Sequence, residues 1–131
     1  MIKILISDDI EIIMNTLKKI VENIDVAKEI KTAKTYDDII CMLKHYKPDI
    51  IISDIIKNTE ASIFKIAKEY NKNIDYSPKF ILISGMDKNY IEYNIVKYEL
   101  NNIIAYISKP FAEEEIKQVL NYYIYNIEKN Y

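Results

Sequence analysis

The sequence predicts an α/β fold, a doubly wound parallel sheet of five strands alternating with five helices. Three observations carry it. Short β-branched runs alternate with segments whose apolar residues recur at helical spacing. The run Ile50-Ile51-Ile52-Ser53 is nearly continuous in apolar character, as expected of a strand covered on both faces. Most predicted strands also end on polar residues able to do chemistry, at Asp8-Asp9, Asp54, Ser84 and Lys109.

The elements follow in order. Ile2 to Ile6 reads as a strand closed by Ser7, Asp8 and Asp9, and Ile10, Ile13, Met14, Leu17, Ile20, Val21 and Ile24 then mark one face of a helix. Ala27 to Ala33 is short and mixed in polarity, which suits a strand near the sheet edge. Thr35 with Asp38 three residues on resembles a capping box, opening a helix with Ile39, Met42, Leu43 and Tyr46 on its apolar side. The strand 49–53 comes next, then a loop from Ile55 to about Glu60 and a helix carrying Ile63, Ile66, Ala67 and Tyr70. Residues 71–78 are turn-rich and connect to the strand Phe80 to Ile83. From Asp87 to Leu100 the helical face is less clean: Ile91, Ile95 and Tyr98 point one way while Tyr90, Tyr93 and Lys97 crowd the other. Asn101 and Asn102 are the expected left-handed stop of that helix. Ile103 to Ile107 is the fifth strand, and Ile116, Val119, Leu120, Tyr123, Ile124 and Ile127 face the last helix. Right-handed crossovers on both faces favour the flavodoxin-like strand order 2-1-3-4-5.

Composition bounds the function. The 131 residues are 50% hydrophobic and 29% charged, which fits one domain, 1–131, with a core that needs no staple. No apolar run approaches a membrane span and no leader pattern opens the chain, so a cytoplasmic location is expected and a membrane role is not. A net charge of −2, with acids and bases interspersed, argues against direct binding of nucleic acid. The one cysteine, Cys41, cannot pair within the chain and is expected in the core. A chain whose one glycine is Gly85 cannot build a glycine-rich nucleotide loop.

Strands 1 and 3 are neighbours in this order, so Asp8, Asp9 and Asp54 converge in the crevice beyond the strand ends. Carboxylates gathered there repel one another unless a cation joins them, and an all-oxygen site suits Mg²⁺ or Mn²⁺. Ser84 adds a hydroxyl and Lys109 an ammonium, both suited to a phosphoryl group beside the metal. Singly these residues have ordinary readings as helix caps, a turn serine and a surface lysine. Together, each at the carboxyl end of its strand, they form a site.

With the acidic pair Asp8-Asp9, Asp54 after an apolar strand, Ser84-Gly85, the aromatic Tyr106 and Lys109-Pro110-Phe111 in this order, the whole chain resembles the receiver domain of two-component response regulators. The resemblance implies a bacterial phosphorelay protein that takes a phosphoryl group on Asp54 from a sensor histidine kinase, a phosphotransfer protein or a small phosphodonor. It implies Mg²⁺ held by Asp9, Asp54 and the backbone carbonyl of Ile56, with Asp8 acting chiefly through water. Lys109 and Ser84, with Gly85 beside it, would bind the phosphoryl group, and a cis peptide is implied at Lys109-Pro110. It implies a switch in which Ser84 moves, Tyr106 rotates inward, and the face of helix 4, strand 5 and helix 5 repacks for a partner or a second copy.

Tyr90, Tyr93, Tyr106 and Tyr122, with Tyr125, are read as an aromatic docking surface. The loop after Asp54 departs from the family: Asn58 and Ser62 stand where receivers usually carry proline and glycine. Ile56 and Met86 hold the positions that often orient an attacking water, and neither can do so, which predicts a long-lived aspartyl phosphate and only slow self-catalysed hydrolysis. Two alternatives stand beside this reading. One is a pseudo-receiver that docks partners without being phosphorylated. The other, an aspartate-nucleophile phosphohydrolase, wants a second acid two residues after Asp54, where Ile56 stands. Whether these residues work alone or as part of a longer regulator is open at this level.

Overall fold

The computed structural model describes residues 1–55 and 62–129, and side chains as far as Asn126. Five strands, β1 (Ile2–Ser7), β2 (Lys28–Ala33), β3 (Ile50–Asp54), β4 (Lys79–Ser84) and β5 (Ile103–Ser108), form one parallel sheet in the order β2-β1-β3-β4-β5. The helices between and after them are α1 (Glu11–Glu22), α2 (Tyr36–His45), α3 (Ile63–Tyr70), α4 (Lys88–Lys97) and α5 (Glu113–Lys129). Fold class and strand order are those predicted.

Strand alternation divides the core into two layers. Ile2, Ile4, Ile6, Ile50, Ile52, Ile81 and Ile83 face α1 and α5, where Met14, Leu17, Ile20, Val21, Ile116, Leu120 and Ile124 cover them. Leu5, Ile51, Phe80 and Leu82 face the other way, onto Tyr36, Ile39, Leu43, Ile63, Phe64, Ala67 and Ile91 of α2, α3 and α4. β3 is buried from Ile50 to Ser53 and emerges only at Asp54. Core burial on both faces therefore fixes the register that presents Asp54 at the strand end, because a one-residue slip would turn every β3 side chain to the opposite layer.

β5 breaks the alternation once. Phe80 pairs with Ile103 but Ile81 pairs with Ala105, so Ile104 is an extra residue. Ile104 and Ala105 both pack on the α1–α5 layer, while Ile103 and Tyr106 both pack on the α4 layer. Without the bulge, residues three apart would lie on opposite faces; with it, Tyr106 is aimed at α4. The Tyr123 hydroxyl of α5 donates to the Ile104 carbonyl at 2.9 Å, satisfying the backbone at this irregularity.

Of three local expectations, one holds and two are corrected. Thr35 caps α2 as expected, its hydroxyl accepting from the Asp38 N–H at 3.1 Å. Cys41 is exposed rather than in the core, because Tyr36, Ile39 and Leu43 form the buried stripe and a residue two after Ile39 points about 200° away from it. α4 ends not at an asparagine but through Glu99, whose φ is 54°. Glu99 N–H donates to Val96 and Leu100 N–H to Ile95, the paired bonds of a Schellman stop, and burial of Leu100 against the α3–α4 layer sets where it falls. Asn102 is instead buried, its amide donating to the Ala67 carbonyl of α3 at 2.9 Å.

Candidate functional site: an acidic crevice with one ammonium

Parallel strands β1, β3, β4 and β5 deliver their last residues to one edge of the sheet. Asp8 follows β1 directly, Asp54 closes β3, Ser84 closes β4, and Lys109 follows β5. The Lys109 N–H donates to the Ser84 carbonyl at 2.8 Å, which ties the loop after β5 to the end of β4. The Lys109-Pro110 peptide is cis, as the resemblance implied.

The side chains meet in the crevice. Lys109 Nζ donates to Asp54 Oδ1 at 3.0 Å and to Asp8 Oδ2 at 3.1 Å, so one ammonium bridges two carboxylates. Asp8 is almost fully buried, and its other oxygen accepts the Ile10 N–H at 2.8 Å. Both Asp8 oxygens are thereby held, while Asp9 is exposed at the rim and Asp54 is half-buried. Asp8, Asp9 and Asp54 each place a carboxylate oxygen within 4.8 Å of the others.

Charge does not balance here. Burial raises the Asp54 carboxyl above its ordinary value, the Lys109 hydrogen bond opposes this, and the charges of Asp8 and Asp9 add to the rise. For Lys109, burial lowers the pKa, but the bonds to Asp54 and Asp8 outweigh it and the ammonium is held more firmly than usual. Among the described residues, three carboxylates facing one ammonium leave an excess of negative charge that a divalent cation would offset. Opposite ligands of octahedral Mg²⁺ stand about 4 Å apart, so three carboxylate oxygens within 4.8 Å of one another are close enough to be drawn onto one small hard cation.

Ser84 is buried and its Oγ accepts the Met86 N–H at 2.8 Å. Gly85 beside it is exposed, and a Cβ there would meet nothing within 4 Å, so steric room does not require the glycine. The carbonyl expected from Ile56 and the departure at Asn58 lie outside the described residues, whereas Ser62 caps α3, its hydroxyl accepting the Phe64 N–H at 3.0 Å.

The expected aromatic surface divides. Tyr93 on α4 and Tyr122 and Tyr125 on α5 are well exposed, while Tyr90 lies edge-on to Phe64 of α3 with ring centroids 6.1 Å apart. Tyr106 is half-buried and its hydroxyl donates to Glu92 Oε1 at 2.7 Å, a bond that raises the Tyr106 pKa.

Two features were not read from the sequence. One is Glu92, an ordinary helix-surface acid until the bulge in β5 brings Tyr106 to it. The other is a groove of about 460 Å³ beside the crevice, lined by Ile13, Thr16, Lys109, Pro110 and Phe111. Ile10 and Ile12, next to it in sequence, are 48% and 74% exposed. Ile12 lies off the core-facing stripe of its helix, and that was the available signal.

No family model matches the chain. Among curated proteins it is similar to the sensory transduction protein LytT of Bacillus subtilis, 27% identical over 123 residues that make up 94% of this chain and 48% of the relative. It is likewise similar to the sensory transduction protein LytR of Staphylococcus epidermidis, 31% identical over 119 residues, 91% of this chain and 44% of the relative. The chain thus spans about half the length of the curated relatives it matches. Among solved structures, a CheY-like response regulator receiver domain protein from Methanospirillum hungatei superposes with a TM-score of 0.80 at 20% identity, covering 100% of this chain and 99% of that one. A response regulator receiver domain protein from Clostridium thermocellum gives 0.75 at 21% identity with 100% of both chains covered.

Proposed function

We propose that this chain, which has the receiver fold of two-component response regulators, is a phospho-acceptor domain spanning residues 1–131 that takes a phosphoryl group on Asp54. The observation that supports this most directly is the Lys109 ammonium bridging Asp54 and Asp8 at 3.0 and 3.1 Å, within a set of three carboxylates in excess of positive charge.

Each residue then has a role. A carboxylate oxygen of Asp54 attacks phosphorus, and the bond from phosphorus to the donor's imidazole nitrogen or acyl phosphate oxygen breaks with its electron pair leaving on the donor. Lys109 offsets the repulsion between carboxylate and phosphoryl oxygens and orients their approach. Ser84 lies one strand away, where its hydroxyl can donate to the incoming oxygens, with Gly85 next to it. Asp8, Asp9 and Asp54, with the Ile56 carbonyl, would hold Mg²⁺ or Mn²⁺. When bound, the cation supplies positive charge opposite the phosphoryl oxygens. Asp8 is anchored by Ile10 and Lys109, so it serves as the fixed wall of the site while Asp9 at the rim adapts.

Besides a small phosphodonor, the donor is a sensor histidine kinase or a phosphotransfer protein, and the groove lined by Ile13, Thr16 and Phe111 beside Lys109 is where apolar side chains of such a protein would seat. Tyr93, Tyr106 and Tyr122, with Tyr90 at the margin, form the output surface, on which a second copy can pair after phosphorylation. The chain is a switch rather than a turnover enzyme. Hydrolysis of the aspartyl phosphate is slow, since neither Ile56 nor Met86 orients water. No described helix is long and apolar enough to cross a membrane, and we place the protein in the cytoplasm with its kinase's catalytic part.

The test is intact mass after incubation with acetyl phosphate and Mg²⁺. One added phosphoryl group, lost in Asp54→Asn and lost without divalent cation, is the expected result. No addition to folded protein would leave a docking domain that is not phosphorylated.

A further inference from the structure

The α4 helix is weakly held along its length. Ile91 and Asn94 are its buried residues, and the Asn94 amide donates only within its own helix, to Tyr90 at 2.9 Å. Its carboxyl-terminal end, by contrast, is tied to α3. Lys68 Nζ donates to the Tyr98 carbonyl and the Asn71 amide to the Glu99 carbonyl, each at 2.9 Å, while Asn71 Oδ1 accepts the Asn101 N–H at 3.0 Å. Three bonds at one end, against the buried Ile91, the half-buried Ile95 and the edge contact of Tyr90 with Phe64 along the body, describe a helix held more firmly at its carboxyl-terminal end.

Among the described residues, one polar side-chain contact fastens the body of α4 to the sheet. The Tyr106 hydroxyl donates to Glu92 at 2.7 Å, and Lys88, one turn before Glu92, lies 3.7 Å from the same carboxylate oxygen. Because the acceptor is charged, this bond is among the stronger kinds that a surface tyrosine can make. It holds Tyr106 with its hydroxyl at the outer rim of the α4–β5 surface. The bulge at Ile104 makes the bond possible, since it turns Tyr106 to the α4 face.

We propose that Glu92 is a latch: it positions Tyr106 outward and α4 closed in the unphosphorylated domain, and it sets how readily the domain switches. The inference rests on the acceptor reading given above and extends it by naming the residue against which the switch must work. Rotation of Tyr106 inward requires this bond to break, so the Glu92 carboxylate favours the resting state and disfavours the phosphorylated one. By linkage, anything that weakens the latch must also ease phosphorylation. Glu92 is a positioning residue; it lies on α4, outside the crevice, and touches none of the reacting groups.

The test places 3-fluorotyrosine at position 106 and reads its ¹⁹F resonance, using the H₂O/D₂O isotope shift as a measure of solvent contact, in wild type, Glu92→Gln and Glu92→Ala. Glu92→Ala should move Tyr106 toward the solvent-shielded position without any phosphodonor, and Glu92→Gln, which keeps an acceptor but not the charge, should lie between. The rate of mass gain from acetyl phosphate follows the population with Tyr106 inward and should rise about three- to tenfold in Glu92→Ala. An unchanged resonance and isotope shift in Glu92→Ala would overturn the latch, whatever the labelling rate. If wild type takes no phosphoryl group, the acceptor reading fails, while the resonance still decides whether Glu92 holds Tyr106.

Discussion

The two ends of the sheet carry similar residues and treat them in opposite ways. At the amino end, Asp49 Oδ2 accepts the Lys3 N–H at 2.9 Å, and Lys3 Nζ donates to the Tyr46 carbonyl at 3.3 Å while lying over the Tyr46 ring. Tyr76 donates its hydroxyl to the Pro48 carbonyl, and Lys31 sits 4.3 Å from the Tyr46 ring centre. Acid, cations and phenols there are matched to one another and to the backbone. At the carboxyl end, among the described residues, one ammonium bridges Asp8 and Asp54 while Asp9 beside them has no bond to it. The amino end uses its polar groups to secure the strand entries. Among the described residues the carboxyl end leaves negative charge unmatched, a surplus that a cation would offset and that would otherwise repel an incoming phosphoryl group.

The comparison can be broken most decisively at Lys109. Lys109→Met removes the sole cation bonded to Asp54 among the described residues and should slow labelling by acetyl phosphate on the order of 10²-fold, read as the rate of mass gain. A rate within threefold of wild type would mean that the ammonium has no part in the transfer.

Stability should respond with opposite signs at the two ends. Asp49→Ala strips the acceptor from the part-buried Lys3 N–H and should cost about 1–3 kcal/mol in urea unfolding. Asp54→Asn removes a carboxylate that burial and its acidic neighbours disfavour, and should gain about 1 kcal/mol. Equal signs would erase the contrast.

Alkaline pH sharpens it further. Burial raises the Tyr76 phenol well above its ordinary 10.0, with Asp49 adding to the rise. The native state thus keeps that proton after the unfolded chain has released it. Its contribution to stability is complete below about pH 10 and is lost as pH rises through the native-state value. Tyr76→Phe should cost about 1 kcal/mol at pH 7 through the lost bond to Pro48. It should also make the decline above pH 10 shallower, as followed by urea midpoints across pH 8–11. The smallest effect is expected at Lys47, whose φ of 55° is left-handed; Lys47→Gly should gain about 0.5–1 kcal/mol in the same assay.

Fold and crevice were legible in the sequence because both follow from strand periodicity. A buried run such as Ile50 to Ser53 fixes which residue emerges at its end, and parallel pairing brings those ends together without any knowledge of side-chain packing. Asp8, Asp54 and Lys109 were therefore visible as partners, although only the structure shows that Lys109 joins the two acids and that Asp8 is anchored on Ile10. Features set by departures from periodicity were not legible. The extra residue at Ile104 leaves no mark in an apolar run, yet it turns Tyr106 toward α4 and creates the bond to Glu92. Similarly, the end of α4 followed the burial of Leu100 rather than the preference of Asn for left-handed backbone, and Cys41 followed the helical stripe rather than its own apolar character.

The surplus of negative charge at the carboxyl end is tested most directly by urea unfolding of wild type and Asp54→Asn with and without Mg²⁺. Without the cation, Asp54→Asn should be the more stable protein. Saturating Mg²⁺ should then raise wild type by about 1–3 kcal/mol, as binding to the native state alone requires when the cation is in ten- to hundredfold excess over its dissociation constant, and raise the variant far less. A wild type that is the more stable of the two without Mg²⁺, and indifferent to its addition, would contradict the account.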